Sequence, residues 1–314
     1  MRTSHAQARG APRRGGLGSL RRREAIQGYL YLTPWVIGFV AFIGGPMLAS
    51  LGLSLTSFGV TSAPRFLGFA NYVRALTDDP LFWDSLRRTF NYTFLAVPLG
   101  VVGSLLAAML LNQGLRATTA YRTLFFLPSL TPVVAMAILW RWVFHADVGA
   151  VNYFLWLIGI KGPGWLTTPE WAIPTLVIIT LWGALGGNTM IIFLAGLQGV
   201  PQELQDAAAI DGANALQRFR HVTLPLLSPT LFFNLVLGII SALKVFTLAY
   251  VATGGGPAYA TWFYALHIYT QAFKYFELGY ASALAWIFFV VMLVFTYLQF
   301  RWSSRWVYYA GEVK

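Results

Sequence analysis

The stretch Leu204–Pro229, LQDAAAIDGANALQRFRHVTLPLLSP, decides how this chain is read. It is polar and turn-forming, and it lies between two long apolar runs. Pro201, just before it, suits the first turn of a helix, where its missing N–H would have no partner. Glu203 and Asp206 follow, and acids near a helix N-terminus favour its dipole. Ala207, Ala208, Ala209 and Ile210 continue the helix. Asp211-Gly212 ends it, because glycine takes the left-handed conformation that closes a helix. Asn214 is placed to cap a second helix through Leu216, Phe219 and Val222. Pro225 then opens the next apolar segment. The stretch therefore predicts two short helices about a tight glycine turn.

The chain around it is of another kind. It has 314 residues, 57% hydrophobic and only 11% charged. A soluble domain carries about a quarter of its residues as charges. Mean hydropathy is +0.61, which places the chain in the membrane class. There is no Cys, so disulfides and thiolate metal sites are excluded. The His residues, at 5, 145, 221 and 267, are scattered, and no metal site is expected.

A membrane helix needs about 20 mostly apolar residues. The runs 28–56, 88–111, 120–144, 172–197, 224–252 and 279–300 meet this, and the expected fold is all-α with six transmembrane helices over 28–300. The first run is too long for the apolar core of a signal peptide. The quoted stretch falls in the connection 198–223. Pro34, Gly44-Gly45-Pro46, Pro128, Pro132 and Gly186-Gly187 interrupt the helices, which membranes tolerate where neighbours or a wet cavity satisfy the freed backbone. Gly100, Ser104 and Ala108 form a small-residue stripe for close helix approach, by intramolecular packing or at a subunit contact.

Basic residues set the orientation. With the N-terminus inside, the cytoplasmic segments hold fourteen Lys and Arg and the outer segments six. Seven of them crowd the first 24 residues, within a basic tail 1–27. The tail 301–314 is then cytoplasmic too, as is 198–223. The basic tail is read as an orienting flank and not as a nucleic-acid-binding arm.

Three polar residues lie deep in apolar runs: Asn188, Asn234 and Lys244. Such groups usually face a bundle interior or water, so they are expected along a substrate path, with helix–helix hydrogen bonding or snorkelling as the alternative. The Gly-x-x-x-x-Gly-Lys-Ser/Thr pattern is absent, so the chain itself is not expected to bind ATP.

The segment DAAAIDGANALQRFRHVTLP resembles the EAA loop of permease subunits of ATP-binding-cassette importers. Asp206-Ala207-Ala208, Asp211-Gly212-Ala213 and Leu224-Pro225 match its pattern, with Asp206 where Glu is usual. FLGFANYVRAL (66–76), LFWDSLRRTFNYT (81–93), YRTLFFLPSLTPVVAMAILWRWVF (121–144), AGLQGVPQEL (195–204) and TGGGP (253–257) are similar to the carbohydrate-importer branch. They resemble the first of its two permease subunits, that of the maltose and glycerol-phosphate systems. The resemblance implies a non-catalytic subunit in a bacterial or archaeal cell membrane. Its partners would be a second permease, two ATPase subunits holding ATP and Mg, an extracytoplasmic binding protein and a carbohydrate. Asp206, Ala207, Ala208, Asp211, Gly212, Ala213, Leu224 and Pro225 would then couple to the ATPase. The rivals are weaker. A self-sufficient secondary transporter would need intramembrane carboxylates or an ion site. A membrane enzyme would need clustered acid, base or metal groups.

Overall fold

The computed structural model describes residues 16–59, 63–113 and 117–308. Among these residues every regular element is helical, and Thr56 and Phe66 form an isolated antiparallel β-bridge. Two units are distinguished, divided between Leu53 and Ser54.

The first unit is α1 (Gly16–Phe39), a π-helical turn (Val40–Gly44) and most of α2 (Gly45–Ser54). The π-turn has a local cause. Pro46 offers no N–H, and the Gly45 N–H reaches back five residues to the Val40 carbonyl. The helix carries on through it, and Arg21–Ser54 makes 34 residues of helix apolar enough to cross a membrane. Trp35, Ile37 and Phe42 are among its exposed side chains.

In the second unit the order is α3 (Ala70–Thr77), α4 (Pro80–Leu111), α5 (Thr118–Phe126), a 3-10 turn (Leu127–Leu130), α6 (Val133–Val143), α7 (Ala150–Leu157), α8 (Pro169–Ala184) and α9 (Asn188–Gln198). It continues with α10 (Gln202–Ile210), α11 (Ala215–Arg218), a π-turn (Phe219–Thr223), α12 (Leu224–Leu243), α13 (Thr247–Ala252), α14 (Tyr264–Phe273) and α15 (Leu278–Ser303). Among the described residues, four helices can cross a membrane on length and composition: Arg21–Ser54, Pro80–Leu111, Ala215–Leu243 and Leu278–Ser303. Two bent pairs raise this to as many as six: α5 through α6, bent by 94°, and α8 with α9, bent by 51°.

Element bounds differ from the sequence expectation in informative ways. The second span starts at Pro80 rather than at 88, because Asp79 caps it and Pro80 sits in the first turn. Charges at Asp84, Arg87 and Arg88 obscured that start in hydropathy. The fifth run, expected to 252, stops at Leu243, and α13 is a separate helix. The second helix of the polar stretch does not end before the membrane. It passes through the π-turn into α12, so Ala215–Leu243 is one rod of 29 residues.

Helix α4 is the post on which the second unit is built. Its Tyr92 and Ala96 pack with α8 and α13 residues such as Leu176, Ile179 and Leu248. Its Val97, Val101 and Ala108 pack with Met190 and Phe193 of α9 and Leu227 of α12. Its Phe82 packs with Tyr264, Tyr280 and Leu284 of α14 and α15. Between helices in lipid there is little hydrophobic drive, so close contact and hydrogen bonds hold them. The small-residue stripe serves this inside the chain. Ser104 and Ala108 are fully buried, and the Ser104 hydroxyl donates to the Ala184 carbonyl at 3.1 Å. Asn71 ties α3 down, donating to the Ser54 and Thr56 carbonyls, each at 2.8 Å.

Candidate functional site

A cavity of about 580 Å³ lies within the second unit, walled by α4, α6, α8, α9, α12 and the start of α13. Its position follows from three interruptions. The α5–α6 pair breaks at Pro128–Pro132, where two prolines remove N–H donors and Thr131, the residue before Pro132, is extended. The α8–α9 pair breaks at Leu185-Gly186-Gly187, where a Cβ on Gly186 would strike the Phe125 carbonyl. The α12–α13 break falls at Lys244–Phe246. Residues in or beside the three breaks line the cavity, among them Ser129, Asn188 and Phe246. Breaks of this kind leave backbone groups that need polar company at membrane depth.

The rest of the lining supplies such company. Tyr92, Ser104, Thr131, Thr180, Thr189, Asn234, Ser241 and Thr247 contribute hydroxyl and amide groups, and none of the described lining residues is Asp, Glu, Lys, Arg or His. The Tyr92 and Thr180 hydroxyls are 2.7 Å apart, and Thr180 donates in turn to the Leu176 carbonyl at 2.9 Å. Asn234 is buried and donates to the Thr230 carbonyl at 3.0 Å. Asn188 is exposed as the first residue of α9. The structure thus brings Asn188 and Asn234 into one cavity. Lys244 is not among the lining residues; it is exposed at the C-cap of α12, just before the lining residues Val245 and Phe246.

The polar stretch forms a second feature, built entirely by local rules. α10 closes in a Schellman arrangement: Gly212 has φ +81°, the Gly212 N–H donates to Ala209, and the Ala213 N–H donates to Ala208 at 2.9 Å. Asn214 and Gln217 then make a reciprocal capping box, at 2.9 Å and 2.8 Å. Gln205 of α10 donates to the Thr223 hydroxyl at 2.9 Å, which fixes α10 against the π-turn. Asp206 accepts from the Gln202 side chain at 3.0 Å. Asp206, Ala207, Asp211 and Gly212 are exposed, while Ala208, Ala213, Leu224 and Pro225 are half-buried. Ile210 is 87% exposed and Leu216 73%. Two large apolar side chains displayed beside two acids make a surface suited to another protein.

A third polar cluster was not foreseen. His267 of α14 lies 2.8 Å from the Asp79 carboxylate, and Tyr280 of α15 donates to the same oxygen at 2.6 Å. Burial alone would raise the Asp79 carboxyl, but the hydrogen bonds from His267, Tyr280 and the Leu81 N–H outweigh it and hold the group at about 2. The Asp79-Pro80 pair was a legible helix-start signal. Its pairing with His267, 188 residues away, was not.

A family model described as "Binding-protein-dependent transport system inner membrane component" matches residues 82–308. The chain belongs to that family. The matched region holds the cavity, the two-helix loop and the rod between them. The probable ABC transporter permease protein YesP of Bacillus subtilis is 42% identical over 295 residues, 93% of this chain and 94% of its own length. The trehalose/maltose transport system permease protein MalF of Thermococcus litoralis is 36% identical over 287 residues, 90% and 95% of the two chains. A solved bacterial ABC transporter involved in alginate import matches with a TM-score of 0.79 at 26% identity, over 92% of this permease and 98% of that chain. A second structure, an alginate transporter in complex with an alginate pentasaccharide-bound periplasmic protein, matches with a TM-score of 0.81 at 25% identity. The chain is therefore a permease subunit of a binding-protein-dependent importer, a membrane protein of several spans.

Proposed function

We propose that this permease passes a sugar or sugar derivative, delivered by an extracytoplasmic binding protein, across a bacterial or archaeal cell membrane. It pairs with a second permease, and two ATPase subunits, which hold the ATP and Mg, receive the loop 198–223. This chain binds no cofactor of its own and is not an enzyme. Both termini are cytoplasmic, which agrees with the distribution of Lys and Arg.

One observation carries the reading. The rod Ala215–Leu243 begins inside the two-helix loop, and its later residues Asn234, Gly238 and Ser241 line the cavity. From Ala215 to Asn234 the rise is roughly 28 Å at 1.5 Å per residue. A push on Asp206, Ile210 or Asp211 crosses the tight Gly212–Asn214 turn and then reaches the cavity through the continuous helix Ala215–Leu243. Gln205 to Thr223 and the capping box make the loop stiff enough to transmit the push. A sugar carries many hydroxyls, and the lining meets them with hydroxyl and amide groups while imposing no fixed charge. The named cargoes of the relatives, trehalose, maltose and alginate, fall in the same class.

The test uses the complete transporter. Asn188→Leu and Asn234→Leu each remove a polar wall and leave the loop intact. Uptake is expected to fall about tenfold, the effect of roughly one lost hydrogen bond to cargo at the crossing point. ATP hydrolysis stimulated by the loaded binding protein should persist, as proof of assembly. Uptake at the wild-type rate in both variants would take the route away from this cavity.

A further inference from the structure

The buried cluster at Asp79 and His267 belongs to neither the cavity lining nor the loop. The His267 and Asp79 side chains are 1% and 8% exposed. His267 is engaged on both sides: Nε2 faces Asp79 at 2.8 Å, and Nδ1 accepts the indole N–H of Trp262 at 3.2 Å. An indole nitrogen only donates. Nδ1 must therefore hold its lone pair, and the ring proton sits on Nε2, donated to the carboxylate. The ring thus joins Asp79 at the N-terminus of α4 to the segment before α14 that carries Trp262, and Asp79 in turn holds Tyr280 at the start of α15. From α14 the linkage runs on to the cavity. The Tyr269 ring lies 5.0 Å from Phe246, and Phe246 is a lining residue.

We propose that Asp79 and His267 are positioning residues for transport: they hold Trp262 and α14 so that Tyr269 keeps Phe246 at the cavity edge, and a second proton on His267 undoes this and slows uptake. An imidazolium donates at both nitrogens, so its Nδ1–H would face the Trp262 N–H with no acceptor between them. Other ionisable groups belong to the same cluster. Asp79 comes from the cap of α4, Tyr264 from α14, Tyr280 from α15 and Glu277 from its cap. Arg74 of α3 lies 4.2 Å from the Tyr280 ring centre and 2.7 Å from Glu277. Histidine is the side-chain type among these that changes charge between about pH 5 and pH 8. The inference rests on the proposed function for its placement on the outer, substrate-accepting side.

The experiment reconstitutes the whole transporter in liposomes, with ATP inside at constant pH and loaded binding protein outside. The outer pH is lowered from about 7.5 to about 5.5, the range in which histidine titrates. The affinity of the binding protein is measured separately at each pH and divided out. Wild-type uptake is expected to fall about fivefold, the population change that goes with one net hydrogen bond. His267→Gln still donates to Asp79 but takes up no proton, and its profile should be flat. Trp262→Phe has no indole N–H to strand, and its profile should also be flat, from a lower start. Acid profiles in both variants that match the wild type would overturn the inference. A second readout needs no transport at all: amide exchange of 253–267, corrected for intrinsic rate, should rise in acid in the wild type and not in His267→Gln. Equal protection in both would overturn the inference even if no sugar were carried, whereas absent uptake with the expected exchange pattern would count against the proposed function alone.

Discussion

Gly212 shows how much one backbone angle controls. Its φ of +81° closes α10, and nothing stands within 4 Å of where a Cβ would be. The constraint is therefore conformational and not one of space. A β-branched residue there meets its own carbonyl and disfavours the turn by about 1–2 kcal/mol or more. Gly212→Val should insert in the membrane and assemble, yet lose most uptake; Gly212→Asn, whose side chain tolerates this region, should keep most of it. Equal uptake by the two variants would show that the turn is not part of the drive. Asp79 makes a different kind of claim. Its carboxyl, held at about 2, stabilises the fold at all pH above the unfolded value of about 3.9. The contribution is lost as pH falls from there towards about 2. Asp79→Asn should cost about 2 kcal/mol at neutral pH, as for a buried hydrogen bond to a charged group. In thermal unfolding its deficit relative to the wild type should shrink below about pH 4. A deficit that stays constant into acid would contradict the charge assignment. At this scale the sequence was legible where partners are near neighbours: the Asp211-Gly212 turn and the Asn214 cap are written within a few residues. Asp79 and His267 meet only because α4 and α14 pack, and no local pattern announces that.

Among the elements, prolines and glycines marked two of the three breaks in advance. Pro128 and Pro132 account for the 94° bend and Gly186-Gly187 for the 51° bend. The third break, Lys244–Phe246, carries neither residue, and the hydropathy of the run gave no reason to stop at Leu243. Packing decides it. Leu243 is buried against α14 and α15 residues, while Leu248 and Ala249 of α13 are buried against α6 and α8 residues, so the chain must turn between two cores. The cavity was legible only in part for the same reason. Asn188 and Asn234 stand out in apolar runs, but Tyr92, Thr180 and Ser129 look ordinary until the breaks bring them together. Lys244 stood out equally and is not in the lining. The α8–α9 break makes a sharp demand. A Cβ at Gly186 would drive into the Phe125 backbone, which no side-chain movement can relieve. Gly186→Ala should lower the yield of assembled transporter several-fold, as overpacking of about 1–3 kcal/mol does. Gly28→Ala, with open space around it, should leave the yield unchanged. Normal yield from Gly186→Ala would mean that the bend relaxes freely.

For the molecule as a whole, the proposed orientation rests on fourteen Lys and Arg in the segments assigned to the cytoplasm against six in those assigned outside. In this Cys-free chain, Asn214→Cys and Lys161→Cys, both at exposed positions, should label from opposite faces of intact cells. Labelling of Asn214→Cys from outside would invert the topology and remove the loop from the ATPase. The uncharged cavity has an electrical consequence. Moving one elementary charge across the membrane field involves about 2.3 kcal/mol per 100 mV. The described lining of this subunit has no charge to move. If these walls tip from one face to the other, the described lining carries no gating charge with it. For an uncharged cargo, turnover should be the same at about 0 and about −100 mV, set in liposomes with a potassium gradient and ionophore. A rate that followed voltage would place a charged group on the moving path. With no such group in its lining, this subunit would pass an uncharged cargo at the same pace in a cell whose membrane potential has collapsed.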